Sequence, residues 1–202
     1  MKPRDIPALV SQGRGSPGFI LASASPRRID LLKQAGLVPL RVIAPEIDEA
    51  PQKGELPRTY AIRMAAAKAE AVAKQESTVL VLAADTVVAV GRRILPKASS
   101  VEEVARCLKL LSGRRHQVLT GIAVAVPRGK MRTRVVMTRV AFKVLTAAEI
   151  EAYCAAGEGL GKAGGYAIQG RAEAFVRFIN GSYSNVVGLP LYETIALLKG
   201  SE

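Results

Sequence analysis

Tryptophan is absent from the 202 residues, aromatic side chains make up only 4% of them, and His116 is the single histidine. So few flat rings leave little with which to stack bases, which weighs against a protein built to grip single-stranded nucleic acid. One histidine cannot make a conventional histidine metal cluster, and no G-x-S-x-G motif supports His116 as the base of a serine nucleophile. The two cysteines, Cys107 and Cys154, lie apart in helix-like stretches with no C-x-x-C. That excludes a disulfide framework and favours structural thiols in a reducing, cytoplasmic compartment. Long apolar runs are missing too. The richest, Val79 to Val90, is broken by Asp85 and falls short of the ~20 residues that span a bilayer, so no membrane span is expected.

What remains is an ordinary globular composition, 49% hydrophobic and 23% charged, in a length that suits one domain. Residues 1–18, with Lys2, Pro3, Arg4, Asp5 and Pro7, lack an apolar core and read as a flexible leader rather than a secretory signal. Residues 19–202 are then the folded domain. Against 17 acidic residues stand 29 Lys and Arg, a net charge of +12 and a pI near 10.1. Such a field draws polyanions: nucleic acid, an anionic membrane or a phosphate-rich small molecule.

Patterning alternates between strands and helices. Phe19 to Ala22 reads as a buried strand, and Ser25-Pro26 as the cap and first position of a helix that stops at Gly36. A strand over Val38 to Ile43, a helix of about Thr59 to Lys74 and a strand over Val79 to Ala84 follow. Ser100-Val-Glu-Glu103 and Thr146-Ala-Ala-Glu149 are capping boxes opening two more helices. Pro127-Arg-Gly-Lys130 joins a hairpin, Asn180-Gly181 is expected to join a second whose return strand is Ser182 to Val187, and Pro190 to Leu198 closes the chain as a helix. Helices interleaved with buried strands and hairpins predict an α/β fold with a mixed sheet.

Asp85 is the most informative acid, because no other carboxylate occurs between Glu76 and Glu102 and it ends an apolar strand. A lone acid there can hold a divalent cation, act as a base toward water, or merely cap a turn. Ser23-Ala-Ser25-Pro26-Arg27-Arg28 offers hydroxyls, a helix N-terminus and guanidinium groups, an anion cradle by composition or simply a capped surface helix. Of the two arginines, one is expected to point outward. Lys68 and Lys97 could reach a site or lie in solvent. Gly159-Leu-Gly161-Lys-Ala-Gly164 formally matches G-x-G-x-x-G, yet a helix precedes it and no βαβ unit follows, so no dinucleotide site is inferred. Arg128, Lys130, Arg132, Arg134 and Arg139 alternate along the first hairpin as a solvated or polyanion-binding face.

Taken together, Leu21-Ala-Ser-Ala-Ser-Pro-Arg-Arg28, Ala83-Ala-Asp-Thr-Val-Val88, Leu111-Ser-Gly-Arg-Arg-His116, Gly164-Gly-Tyr-Ala-Ile-Gln-Gly170 and Val187-Gly-Leu-Pro-Leu191 resemble the Maf family of nucleoside triphosphate pyrophosphatases. The resemblance spans about Phe19 to Leu198, with five motifs in order. It implies an elongated, two-lobed mixed-sheet α/β fold with a central cleft, like that of the inosine-triphosphate pyrophosphatases. It also implies a homodimer, dependence on Mg²⁺ or Mn²⁺, and hydrolysis of a nucleoside triphosphate to monophosphate and pyrophosphate. By the same resemblance Asp85 is the proton acceptor. Arg27, Thr86 and Gln169 fall on positions tied to substrate choice, Lys68 and Lys97 on phosphate-contacting lysines, and Ser23 and Ser25 in the first motif. Glu46 and Asp48 lie in the acidic segment associated, with Asp85, with metal.

Asp-Thr after the strand and Ile-Gln-Gly after the glycines are similar to the family branch that prefers dTTP and UTP. The 7-methyl-GTP branch typically shows Asp-Gln and Ser-Glu-Gly. Two departures stand out: Gly161 where many members carry Asp, and Pro96-Lys97-Ala98 in place of the commoner Gly-Lys-Pro. Alternatives from outside the dTTP/UTP branch are a pyrophosphatase for 7-methyl-GTP or another modified nucleotide, a basic nucleic-acid-binding protein without catalysis, and a catalytically lapsed scaffold.

Overall fold

A computed structural model describes residues 18–200, so all but the last residue of the expected leader 1–18 lies outside the described residues. Seven strands form one mixed sheet: β1 (Phe19–Ala22), β2 (Arg41–Ile43), β3 (Leu80–Val90), β4 (Arg93–Leu95), β5 (Arg115–Ala125), β6 (Arg132–Phe142) and β7 (Val176–Asn180). Their order is β2-β1-β3-β5-β6-β7, with β4 also on β3. β1 runs parallel to β2 and β3, and all other pairs are antiparallel. Six α-helices accompany them among the described residues: α1 (Pro26–Gln34), α2 (Pro57–Ala73), α3 (Val101–Leu111), α4 (Ala147–Ala155), α5 (Tyr183–Val187) and α6 (Leu191–Lys199). The mixed α/β class is as expected.

The spine is β3. Along one flank it pairs with β5 from Val81 to Ala89. Along the other, β1 covers only Leu80 to Ala83 and β4 only Val88 to Val90. Residues 84–87 therefore have no strand partner on that flank among the described residues. β3 thus runs straight through Asp85, which lies in mid-strand, not at the strand end the sequence suggested. The β-branched Thr86, Val87 and Val88 continue the extended backbone because β5 carries a matching run opposite them.

One face of the sheet is covered by α2, which packs on β3 and β5. Its alanines explain the closeness: Ala61, Ala65 and Ala69 are fully buried against the strands. The other face carries the larger core, with Leu108, Leu111, Tyr153, Ile168 and Leu189 sealed beneath α3, α4 and the C-terminal segments.

Several local expectations need amendment. The hairpin around Pro127-Arg-Gly-Lys130 exists, closed by Gly129 N–H donating to the Val126 carbonyl; its arms, expected over Ile122 to Val126 and Met131 to Thr138, run to eleven residues each. The segment 38–43 is extended only from Arg41. The second hairpin does not form. Ser182 caps α5 by accepting from Asn185 N–H, so residues 183–187 are helical, and β7 pairs instead with β6. The Val186-Val187 pair that suggested a strand is outweighed by this cap and by Asn185, fully buried, whose amide donates to the Val118 carbonyl and Thr138 Oγ1. Thr146 and Glu149 form a complete capping box. At α3 the box is shared: Ser100 accepts from Glu103 N–H, while the Glu103 carboxylate reaches back to Ser99.

Candidate active site

The unpartnered stretch of β3 opens onto a cavity of about 480 Å³. Alternation along the strand turns Asp85 toward α2 and Thr86 toward α5. Lys68, eleven residues into α2, is buried at the sheet surface and its Nζ stands 2.6 Å from Asp85 Oδ1. The same ammonium lies 2.7 Å from Glu49 Oε1. One cation thus bridges a buried carboxylate from the sheet and a half-exposed one from the loop before α2.

Both arginines after Pro26 line the cavity, so the expectation that one points outward is corrected. Two long side chains leaving the first turn of α1 can each bend inward, whatever the angle between their Cα–Cβ bonds. Arg28 is buried, donating Nε to the Gly188 carbonyl at 2.9 Å, Nη1 to Ser23 Oγ at 2.9 Å and Nη2 to Thr86 Oγ1 at 3.4 Å. Arg27 is half-buried, and its Nε has no partner, an orphan donor beside the cavity. Burial lowers the pKa of both guanidinium groups, opposed in Arg28 by the charge of Asp85. Ser25 occupies the N-cap position of α1, but its side chain caps nothing; it faces the cavity instead.

Lys97 is carried past β4 by a short antiparallel bridge to Ala163. Hydrogen bonds from Ala98 N–H to the Lys162 carbonyl and from Gly161 N–H to the Ala98 carbonyl fix the loop on both sides. The Pro96-Lys97-Ala98 variation is accommodated there with Ala98 fully buried. Gly161, at φ 67° with open space around its Cα, is compatible with the turn. Gly164 is required by close approach: at φ 67°, a Cβ there would stand 2.8 Å from the Val88 side chain. The glycines of the former G-x-G-x-x-G pattern are thus turn and packing residues that bring Lys162 and the exposed Gln169 to the cavity.

Five cations, Arg27, Arg28, Lys68, Lys97 and Lys162, line this cavity against the carboxylates of Asp85 and Glu49. Burial, with Arg27 and Lys97 nearby, pulls Lys162 below its usual value. Burial pushes the Glu49 carboxyl up, but the hydrogen bond and charge of Lys68, with Lys97 and Arg28, outweigh it and hold it below the ordinary range. Tyr60 of α2, buried near Asp85 and Glu49, is pushed up to about 12 and stays neutral.

Most sequence-derived candidates therefore meet: Asp85, Ser25, Arg27, Lys68, Thr86, Lys97 and Gln169 line one cavity. Ser23 sits behind it, buried, holding Arg28 and the Ser25 N–H. Glu46 and Asp48 do not join. Both are exposed, and Asp48 uses its carboxylate to accept from Ala50 N–H at 2.9 Å. The acid of that segment that reaches the site is Glu49, their neighbour, which nothing in the sequence singles out. Arg28 stands in the sequence only as one of the cradle's two arginines and Lys162 is not singled out at all; a repeated Arg-Arg and a Gly-Lys pair are the available signals. His116 lies outside the cavity, buried against Tyr166 Oη at 2.8 Å.

A buried acid under a fringe of cations, on a strand edge left open by its neighbours, has the charge complementarity a compact polyphosphate requires. The chain belongs to the Maf-like protein family, whose profile matches residues 18–201. It is 63% identical to a dTTP/UTP pyrophosphatase of Sphingopyxis alaskensis over 182 residues, covering 90% of this chain and 95% of that protein. It is 58% identical to the dTTP/UTP pyrophosphatase of Rhodospirillum rubrum, over 93% of this chain and 90% of that one. With the dTTP/UTP pyrophosphatase of Caulobacter vibrioides it shares 56% over 91% and 95%. Among solved structures, a HAM1 protein from Coxiella burnetii aligns at 17% identity and a TM-score of 0.46, over 62% of this chain and 73% of that one.

Proposed function

We propose that this protein hydrolyses nucleoside triphosphates, dTTP and UTP in preference, to the monophosphate and pyrophosphate. The observation that carries the reading is the buried Asp85–Lys68 pair opening onto a cavity lined by Arg27, Arg28, Lys97 and Lys162. The names of the relatives give the nucleotides.

In this reading Asp85 orients or deprotonates the water that attacks the α-phosphorus. Lys68 shields that carboxylate until phosphate oxygens compete for the ammonium. Arg27, with its orphan Nε, and Lys97 neutralise charge on the triphosphate, each charge-assisted contact contributing about 1.5 to 3 kcal/mol. Thr86 and Gln169 face the base.

Among the described residues no group of three acidic, histidine or cysteine side chains could cage a metal by itself. Two carboxylates already converge on one cation, however, at 2.6 and 2.7 Å. That donor set fits Mg²⁺ or Mn²⁺, which take one or two carboxylates and complete their shell with water and substrate phosphates. Asp85 and Glu49 would hold the ion, and when bound it supplies neutralising charge to the triphosphate.

The reading includes a homodimer, supported by the family resemblance and testable by light scattering, and a cytoplasmic location, consistent with free Cys107 and Cys154. No described helix is long and apolar enough to cross a membrane. The test is pyrophosphate release from dTTP, UTP, CTP, GTP, ITP and 7-methyl-GTP with Mg²⁺ or Mn²⁺, beside Asp85→Asn. Selective cleavage of dTTP and UTP, lost in the variant, is expected. A folded protein inert toward the whole panel sinks the reading.

A further inference from the structure

Three protein groups meet the Thr86 hydroxyl: Thr120 Oγ1 at 2.9 Å, the Gly188 carbonyl at 3.4 Å and Arg28 Nη2 at 3.4 Å. Thr120 is fully buried and sits directly opposite Thr86 in the β3–β5 register. Its own hydroxyl donates to the Asn185 carbonyl at 3.1 Å. A hydroxyl has one proton, and a carbonyl can only accept. With its proton committed to Asn185, Thr120 offers Thr86 nothing but lone pairs. The Thr86 proton therefore goes to Thr120, with Gly188 as the longer alternative.

Arg28 can only donate, so it fills one Thr86 lone pair. It cannot turn away freely, because Ser23 Oγ and the Gly188 carbonyl hold its other nitrogens at 2.9 Å. The β-branched Thr86 side chain is itself stiff about χ1. What this hydroxyl has left for the cavity is its second lone pair.

We propose that Thr120 is a positioning residue for substrate choice: by taking the Thr86 proton it holds Thr86 as an acceptor, so the cavity admits a pyrimidine presenting a ring N–H. Uracil and thymine carry that N–H at N3. Cytosine has a lone pair there, and two facing lone pairs would be desolvated with no proton between them. A site built to hydrogen-bond its ligand discriminates strongly against a base lacking the matching group. This inference rests on the nucleotide hydrolysis proposed above, and deepens it from a preference among nucleotides to the polarity of one hydroxyl.

The experiment compares kcat/KM for UTP, CTP and 3-methyl-UTP, in which a methyl group replaces the N3 proton, using the intact chain, Thr120→Val and Thr120→Ser. The intact chain should refuse CTP and 3-methyl-UTP. Thr120→Ser keeps the hydroxyl and should keep the preference. Thr120→Val removes the nearer acceptor and leaves the Thr86 proton only the long, 3.4 Å contact to the Gly188 carbonyl, so that a cytosine N3 in the cavity can compete for it; the UTP to CTP ratio should narrow on the order of tenfold. A merely structural role for Thr120 would lower both rates and leave the ratio alone.

An unchanged ratio in a cooperatively melting Thr120→Val overturns the inference. So does an intact chain that takes 3-methyl-UTP or CTP as well as UTP, a result that needs no variant and leaves the phosphate chemistry standing. An intact chain that releases pyrophosphate from no nucleotide overturns the proposed function, and this inference with it.

Discussion

Gly121 of β5 lies directly against the Ala61 carbonyl of α2: a Cβ built on Gly121 would stand 2.1 Å from that oxygen. Gly121 is also the β5 partner of Asp85, so this close approach of helix to sheet falls at the register of the proposed catalytic acid.

Because the obstacle is backbone and not the tip of a flexible side chain, Gly121→Ala must lift α2. Overpacking of this kind costs about 1 to 3 kcal/mol. The melting temperature should fall, and turnover should fall further than stability explains, since Lys68 rides on the displaced helix. Thermal melts paired with kcat at a temperature where the variant is fully folded check this; wild-type turnover in a folded variant refutes it.

Lys68→Met leaves Asp85 without its cation, and stripping one partner from a buried pair costs about 3 to 5 kcal/mol. Adding Asp85→Asn removes the stranded charge. The double variant should therefore regain part of the lost stability while regaining none of the activity. Urea denaturation of the two single variants and the double closes the cycle, and strict additivity would mean the pair is not energetically coupled.

Glu49 and its neighbours separate by a metal titration. Glu49→Gln should raise the Mg²⁺ concentration for half-maximal rate on the order of tenfold, whereas Glu46→Gln and Asp48→Asn, whose side chains point to solvent, should leave it unchanged. Equal effects from all three would return the metal role to the whole acidic segment.

Burial lowers the His116 pKa from 6.5 to about 4. Between those values the unfolded chain binds a proton that the fold refuses. The stability from a neutral His116 is thus complete above about pH 6.5 and is lost as the pH falls toward 4, by an amount on the order of 3 kcal/mol. Denaturation midpoints should decline over that window. His116→Leu with Tyr166→Phe, which removes both ends of the buried hydrogen bond, should flatten the decline.

The sequence made legible what is local or repetitive. Pro26 opening α1, Thr146 pairing with Glu149, and Pro127 to Lys130 turning a hairpin each carry their own short-range instructions, and each forms. It hid what depends on distant partners. Residues 183–187 look like a strand until Asn185 finds Val118 and Thr138 across the sheet. Val79 to Ala84 looks like a complete strand until β5 supplies a partner for everything up to Ala89. The site divides the same way. The motif residues converge, but which of two adjacent arginines is sealed, and which acid of a run of three turns inward, follow from tertiary packing.

The gap between β1 and β4 gives this protein an interior strand with an edge. Exposed edges ordinarily invite another chain to add on, but four residues open on one flank and closed off at both ends offer no length for a foreign strand to zip onto. The flank of residues 84–87 turned away from β5 is thereby left to small guests alone. Lengthening β1 by two or three residues in register would complete the ladder, stiffen the sheet and erase the chamber: the proposed catalysis is housed in a dislocation of the sheet.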